Sequence, residues 1–330
     1  MIKPSFQPCN EAREIRNLVR HRDNLLRSSS KEVLHMQKSM ELMNIKLTNV
    51  ISDILCKSGQ DIISAIIAGE RNPKVLAALA DPRCKASPEE IEKSLEADWD
   101  ENLLFMLKQS VDLYNFIHQQ IKDCEQMIEK LIHSYLESLP KDMVHKTDCK
   151  RSNKPKSSKN SISIDIEQYA HVFWGVNLMC IKGVSDGTLL RLLGELGHDF
   201  VTKFDSYKEF CCWANVTPNN KISGGKVLSS KIPKRKNPVG QILRSSANSL
   251  KCNKSPLGFY FRKIQAKSGY IPAIIASANK MGRIMYTMVK SKTEFDEDRG
   301  KEKQAEMLKK KLERNQKEMK KILKQLKDCA

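Results

Sequence analysis

One short stretch of the chain carries residues suited to phosphate chemistry: Asn219-Asn-Lys-Ile-Ser-Gly-Gly-Lys226. Ser223 stands before Gly224 and Gly225, which free the backbone for a tight, exposed turn, and Lys221 and Lys226 flank it. A serine hydroxyl becomes a nucleophile when a base or metal takes its proton and cations hold the target phosphate beside it. A Ser-Gly-Gly turn alone is an ordinary loop, so its meaning depends on its surroundings. Those surroundings are basic. From Phe210 to Thr293 there is no Asp or Glu, while the same 84 residues hold 16 Lys and Arg, nearly the whole net charge of +18. So many cations repel one another unless an anionic partner screens them, and a nucleic-acid backbone does this while releasing its counterions. The alternatives are a solvated surface or a patch for acidic membranes, but an acid-free span this long exceeds what mixed-charge surfaces need. The expected contacts are Lys221, Gly224, Gly225, Lys226, Lys231, Lys234, Arg235, Lys236, Arg244, Arg262 and Lys263. Ser229 and Ser230 are the next candidate hydroxyls after Ser223.

A second constellation lies upstream. Leu178 to Gly197, LMCIKGVSDGTLLRLLGELG, reads as helix, tight turn and helix. Gly183 and Gly187 can let the backbone approach a phosphate, with Lys182 beside them. The pattern resembles a helix-hairpin-helix, the sequence-independent clamp on a DNA backbone, with Ser185 where that motif has its second glycine. A helical hairpin that only packs fits the same residues. No metal set is expected. Asp98, Asp100 and Glu101 sit where a helix begins and read as N-terminal charges. The ten cysteines are scattered, apart from Cys211 beside Cys212, with no Cys-x-x-Cys, so they read as free thiols in a reducing compartment. No run of about 18 apolar residues and no leader pattern occurs, which points to a cytoplasmic protein without a membrane partner.

The elements that must position these residues are helical. Aromatic residues are only 6% of the chain, too few for a large β-sandwich core. Over the first 55 residues Val33, Met36, Met40, Met43, Leu47, Val50 and Ile54 recur at alternating steps of three and four, which predicts one long helix. Ser87-Pro-Glu-Glu90 predicts a capping box. A second long helix is expected from about Leu103 to Leu139, its stripe Leu107, Val111, Tyr114, Ile117, Ile121, Cys124, Ile128, Leu131 and Tyr135 pairing antiparallel with the first. The expected fold is therefore mainly α. A helical coiled-coil region spans residues 1–140, a basic flexible linker 141–163, a small helix-rich DNA-binding domain 164–293 and a charged helix 294–330. The last carries a heptad stripe of Ala305, Leu308, Leu312, Asn315, Met319, Ile322 and Leu326.

Several blocks in order carry a family resemblance: Arg20-His-Arg-Asp-Asn-Leu25, His35-Met-Gln-Lys38, Met43-Asn-Ile-Lys-Leu47, Ser52-Asp-Ile54, Ala68-Gly-Glu-Arg-Asn-Pro73, Ser94-Leu-Glu96, Ile181-Lys-Gly183, Asn219 to Lys231, and Leu257-Gly-Phe-Tyr-Phe-Arg262. Together they resemble the DEDD-type transposases of the insertion-sequence 110 family, in particular its 1111-like branch, over most of the chain up to about Glu294. The resemblance implies a ribonuclease-H-like domain whose four acidic residues bind magnesium, a helical region, and a domain bearing a nucleophilic serine, matched here by Ser223. It also implies a structured bridge RNA that pairs with DNA, and a site shared between protomers.

The chain departs from that pattern at its start. Lys3-Pro-Ser-Phe-Gln-Pro8 resembles the segment just beyond the last family carboxylates. The expectation is a truncated transposase that binds DNA and RNA and carries the serine. It binds no cofactor itself and meets magnesium only through a partner supplying the acidic domain. The alternative is a non-catalytic or inhibitory nucleic-acid-binding protein that associates with full-length transposase, or with itself as a homo-oligomer, through its helical seams.

Overall fold

The computed structural model describes residues 6–140, 144 and 162–328; apart from residues 144, 162 and 163, the expected linker 141–163 lies outside them. The described chain is mainly helical, and its one sheet has two strands. Among the described residues no helix is long and apolar enough to cross a membrane. The chain divides into two units, Arg20–Met127 and a second formed by residues 1–19 with 128–330.

In the first unit lie most of α1 (Asn10–Leu42), then α2 (Leu47–Val50), α3 (Lys57–Ile67), α4 (Pro73–Ala77), α5 (Pro88–Ser94) and the first three quarters of α6 (Glu101–Ser138). The long first helix expected to about residue 55 stops at Leu42. Asn44 adopts φ +60°, Ile45 N donates to Met40 O at 2.9 Å and Asn44 N to Glu41 O at 3.0 Å, the paired bonds of a Schellman turn. Asparagine tolerates the left-handed region that the turn requires. The apolar period nevertheless runs on, because Met36, Met40 and Met43 before the turn and Leu47, Ile51 and Ile54 after it are buried in one core. Ser87 forms the capping box: Glu90 N donates to Ser87 Oγ and Ser87 N to Glu90 Oε2. Asp100 Oδ1 accepts from Asn102 N and Leu103 N at 2.8 and 3.1 Å, so this carboxylate opens α6 as a helix-start charge.

Two cross-links fix how α1 and α6 meet. Arg22 reaches Glu125 Oε1 through Nε and Nη2, each at 2.7 Å, and Ser29 Oγ meets His118 Nε2 at 2.9 Å. Seven residues forward on α1 match seven residues backward on α6, so the helices run antiparallel. Both members of the ion pair are buried.

The second unit begins with α7 (Ile166–Trp174) and a 3-10 turn at Leu178–Cys180, followed by α8 (Asp186–Leu196) and a 3-10 turn at Phe200–Thr202. After these come α9 (Tyr207–Trp213), β1 (Lys221–Ser223), β2 (Lys226–Ser229), α10 (Pro238–Asn248), α11 (Pro256–Ser268), α12 (Tyr270–Ser291) and α13 (Asp298–Asp328). Among the described residues, four helices start with a side-chain cap and proline in the first turn: those capped by Asn72 and Ser87 in the first unit, and by Asn237 and Ser255 here. Helix α12 is the central member and packs against α9, α10 and α11. Phe200, Phe210 and Tyr286 stack at its flank with ring centres 5.4 and 5.8 Å apart, and Tyr286 OH donates to Phe204 O at 2.6 Å. Elsewhere in the unit, Tyr135 OH meets Cys9 Sγ at 2.8 Å and His198 Nδ1 at 2.5 Å. Burial pushes the Tyr135 phenol up and the His198 imidazole down from their ordinary values.

Removing one member of the buried pair strands a charge. Glu125→Ala is expected to cost about 3–5 kcal/mol in urea unfolding followed by helical circular dichroism, and the double replacement Arg22→Met with Glu125→Leu to recover most of it. A cost below about 1 kcal/mol, the range of exposed pairs, would show that the pair does not anchor α1 on α6.

Candidate nucleic-acid interface

The Ser-Gly-Gly-Lys stretch is the tip of a β-hairpin. Strands β1 and β2 pair antiparallel, with Ser223 opposite Lys226, Ile222 opposite Val227, and a bulge that sets Lys221 opposite Ser229. Gly224 and Gly225 form the two-residue turn at φ +55° and +74°. Positive φ at both positions matches the right-handed twist of the strands, and glycine reaches it without a Cβ clash. Space is not what demands glycine here, since a Cβ at either position meets nothing within 4 Å. All side chains from Lys221 to Lys226 are exposed, including Ile222 at 62%, and Leu228 across the hairpin is 70% exposed. Ser223 lies in a segment without Asp or Glu.

The hairpin is fastened at its root. Asn219 N donates to Lys231 O at 3.0 Å, closing the neck. Below it Asn215 is buried at φ +57°, and its Nδ2 donates to Pro233 O and Arg235 O at 3.0 and 2.6 Å. Asn237 Nδ2 reaches Trp213 O at 2.9 Å, and Asn279 Nδ2 on α12 reaches Thr217 Oγ1 at 3.1 Å. Helix α10 comes so close that a Cβ on Gly240 would lie 1.8 Å from Ala214 O. The rising and returning arms are therefore tied to α9, α10 and α12.

These ties sort the expected basic contacts. Lys221, Lys226, Lys231, Lys234, Lys236 and Lys263 are exposed. Three arginines serve the scaffold as well: Arg235 Nη2 donates to Cys212 O at 2.7 Å, Arg244 Nη1 to Asn215 O at 3.2 Å, and Arg262 Nη1 to Asn253 O at 2.6 Å. Burial pulls the half-buried Arg244 below its usual value. Of the serines beside the tip, Ser229 Oγ accepts from Lys231 N, and Ser230 is exposed.

The turn before α8 is built differently. Gly183 has φ +93°, and a Cβ there would lie 2.7 Å from Ser246 O on α10, so this glycine lets the turn pack closely. Ser185 caps α8 by accepting from Thr188 N. A Cβ on Gly187 meets nothing within 4 Å, and Lys182 Nζ lies 3.9 Å from Glu297.

One assembly was not singled out in the sequence. Tyr207 and Tyr260, on α9 and α11, flank α12 and carry cations over their rings: Arg283 4.7 Å from the Tyr207 centroid and Lys280 4.1 Å from that of Tyr260. The signal available was Lys280 and Arg283, one helical turn apart on an amphipathic helix. The tyrosines that receive them are distant in sequence.

Among the described residues, no group of three or more His, Cys, Asp or Glu side chains converges to hold a metal ion. No curated protein matches the chain. Residues 176–253 match the model of the transposase IS116/IS110/IS902 family. The matched segment runs from just after α7 through the fastened hairpin to just beyond α10, and over it this chain is similar to the transposase IS116/IS110/IS902 family.

Proposed function

We propose that the chain handles DNA for an insertion-sequence transposase, gripping nucleic acid through the basic face around the β1–β2 hairpin and presenting Ser223 as the nucleophile. The observation that carries this reading is the hairpin tip: a serine exposed beside a two-glycine turn, opposite a lysine, inside an acid-free cationic segment of a transposase family. The exposed lysines of the hairpin and the strap behind it meet phosphates, and Lys182 with the open Gly187 adds a second contact at the start of α8. Ile222 and Leu228 give the hairpin two apolar side chains without a core, a state that favours a partner surface.

The chemistry is transesterification. The Ser223 Oγ–phosphorus bond forms, one phosphorus–oxygen bond to a sugar breaks, and the leaving sugar hydroxyl takes up the proton that serine gives away. Lys221 and Lys226 offset charge on the non-bridging oxygens. The family's magnesium calls for clustered carboxylates, and the described residues do not fit it. In this reading cutting draws on carboxylates outside the described residues, and a structured bridge RNA is the second nucleic-acid partner. Helix α13 offers the seam for assembly. Leu308, Leu312, Met319 and Ile322 recur along it and are exposed, with Asn315 between them, the pattern of a paired helix with one polar register point.

Binding to a DNA duplex should fall steeply with salt, by about a thousandfold between about 50 and 200 mM for a footprint of about six phosphates. Fluorescence anisotropy across that range is the check, and a flat response would remove the phosphate-gripping face. Ser223→Ala should leave duplex binding within a few-fold. Mixed with a transposase that supplies the acidic domain and its bridge RNA, it should form no covalent protein–DNA adduct on a denaturing gel, where the unmodified chain does. An adduct that persists in Ser223→Ala assigns the nucleophile elsewhere, with Ser229 and Ser230 next. Light scattering should show self-association that Leu312→Glu with Met319→Glu abolishes; a monomer at high concentration rules out α13 as the seam.

A further inference from the structure

Helix α12 turns one face into a groove of about 670 Å³ lined by Tyr207, Tyr260, Asn279, Lys280, Arg283 and Ile284, with the segment after α12 also in its wall. Its size falls in the range of sites that hold small ligands. We infer that this groove takes an unpaired nucleotide, its base stacked against the Tyr207–Arg283 and Tyr260–Lys280 pairs and its phosphate beside the two cations. The inference rests on the nucleic-acid-handling role proposed above and adds to it a second mode of contact.

The wall chemistry is what a nucleobase requires. A guanidinium lying 4.7 Å over a tyrosine ring caps one ring face and leaves a planar cation and the ring's other face as surfaces of the two kinds on which bases stack. Tyr260 under Lys280 repeats the arrangement from α11, one helical turn back along α12. Ala276 and Ile284 add apolar lining. A paired base cannot enter, because both of its faces are covered by its neighbours in the duplex, whereas an unpaired base offers them. Glu294 and Asp296 also line the groove, and a phosphate is favoured nearer Lys280 and Arg283 than beside those carboxylates. The groove also adjoins the hairpin root: Asn279, on its wall, is the residue whose amide holds Thr217 and Val216. A strand parted at the hairpin therefore has a cationic, aromatic place to go.

The test compares two probes on the full chain by fluorescence anisotropy at one salt concentration: a single-stranded DNA of about twelve nucleotides and the fully paired duplex of the same sequence. Tyr260→Ala should weaken the single strand by about five- to a hundredfold, the effect of losing one stacked base, and leave the duplex within about twofold. Tyr260→Phe keeps the ring and should restore the single-strand affinity. Arg283→Ala, an exposed position whose loss leaves the core untouched, should act in the same direction as Tyr260→Ala. Equal losses on both probes, or none on the single strand, would overturn the inference. Failure of the unmodified chain to bind the duplex at low salt would instead count against the hairpin face, since that arm does not depend on the groove.

Discussion

Sixteen cations between Phe210 and Thr293, with no carboxylate in the same stretch, set the condition that the rest of the second unit has to meet. The structure settles many of them on groups that hold a cation without cancelling its charge. Backbone carbonyls take Arg235, Arg244 and Arg262, and also Lys290 on Asp205 O at 3.1 Å and Lys292 on Trp174 O at 2.9 Å. Ring faces take Arg283 and Lys251, the latter 5.8 Å from the Tyr270 centroid. A carboxylate would have neutralised each charge and erased the field outside. A carbonyl dipole or a ring quadrupole fixes the side chain and leaves the net charge in place. The packed segment thus keeps its net positive charge.

The same arrangement explains how a hairpin with no core of its own can hold a defined position. Two strands of three and four residues are marginal in water. Here the neck closes through Asn219 and Lys231, and the arms below are held by Asn215, Arg235, Asn237 and Asn279 against α9, α10 and α12. Those helices are ordered by the Phe200, Phe210 and Tyr286 rings and by the close approach of Gly240 to Ala214. Precision at Ser223 therefore comes from a polar strap on an aromatic core. The segment that holds Ser223 contains no Asp or Glu.

How much of this was legible in the sequence depends on the range of the interaction. Local chemistry was readable: Ser87-Pro-Glu-Glu90 is a capping box, the stripe from Leu107 to Tyr135 is one helix, and the paired glycines after Ser223 make a tight turn. The end of α1 was not, because the three-and-four period of its apolar residues continues through Asn44 even though the backbone reverses there. Periodicity reports which residues face a core and is silent on whether one helix or two present them. The aromatic groove was hidden for a related reason. Tyr207, Tyr260 and Arg283 have no common spacing, and only the packing of α9 and α11 against α12 brings them together.

The glycines show why one residue type supports two opposite readings. At Gly183, positive φ coincides with a Cβ position already occupied by Ser246 O, so the turn is spent on bringing α8 against α10. At Gly224 and Gly225, positive φ coincides with empty space on every side. In the first case any side chain would be rejected by the protein itself. In the second the protein tolerates the volume, and only the backbone angle, or a partner that approaches the turn closely, demands glycine. Serine, lysine and an open turn therefore converge at the hairpin, where a phosphate can reach the backbone without displacing a helix, and the weight of the candidate interface falls there.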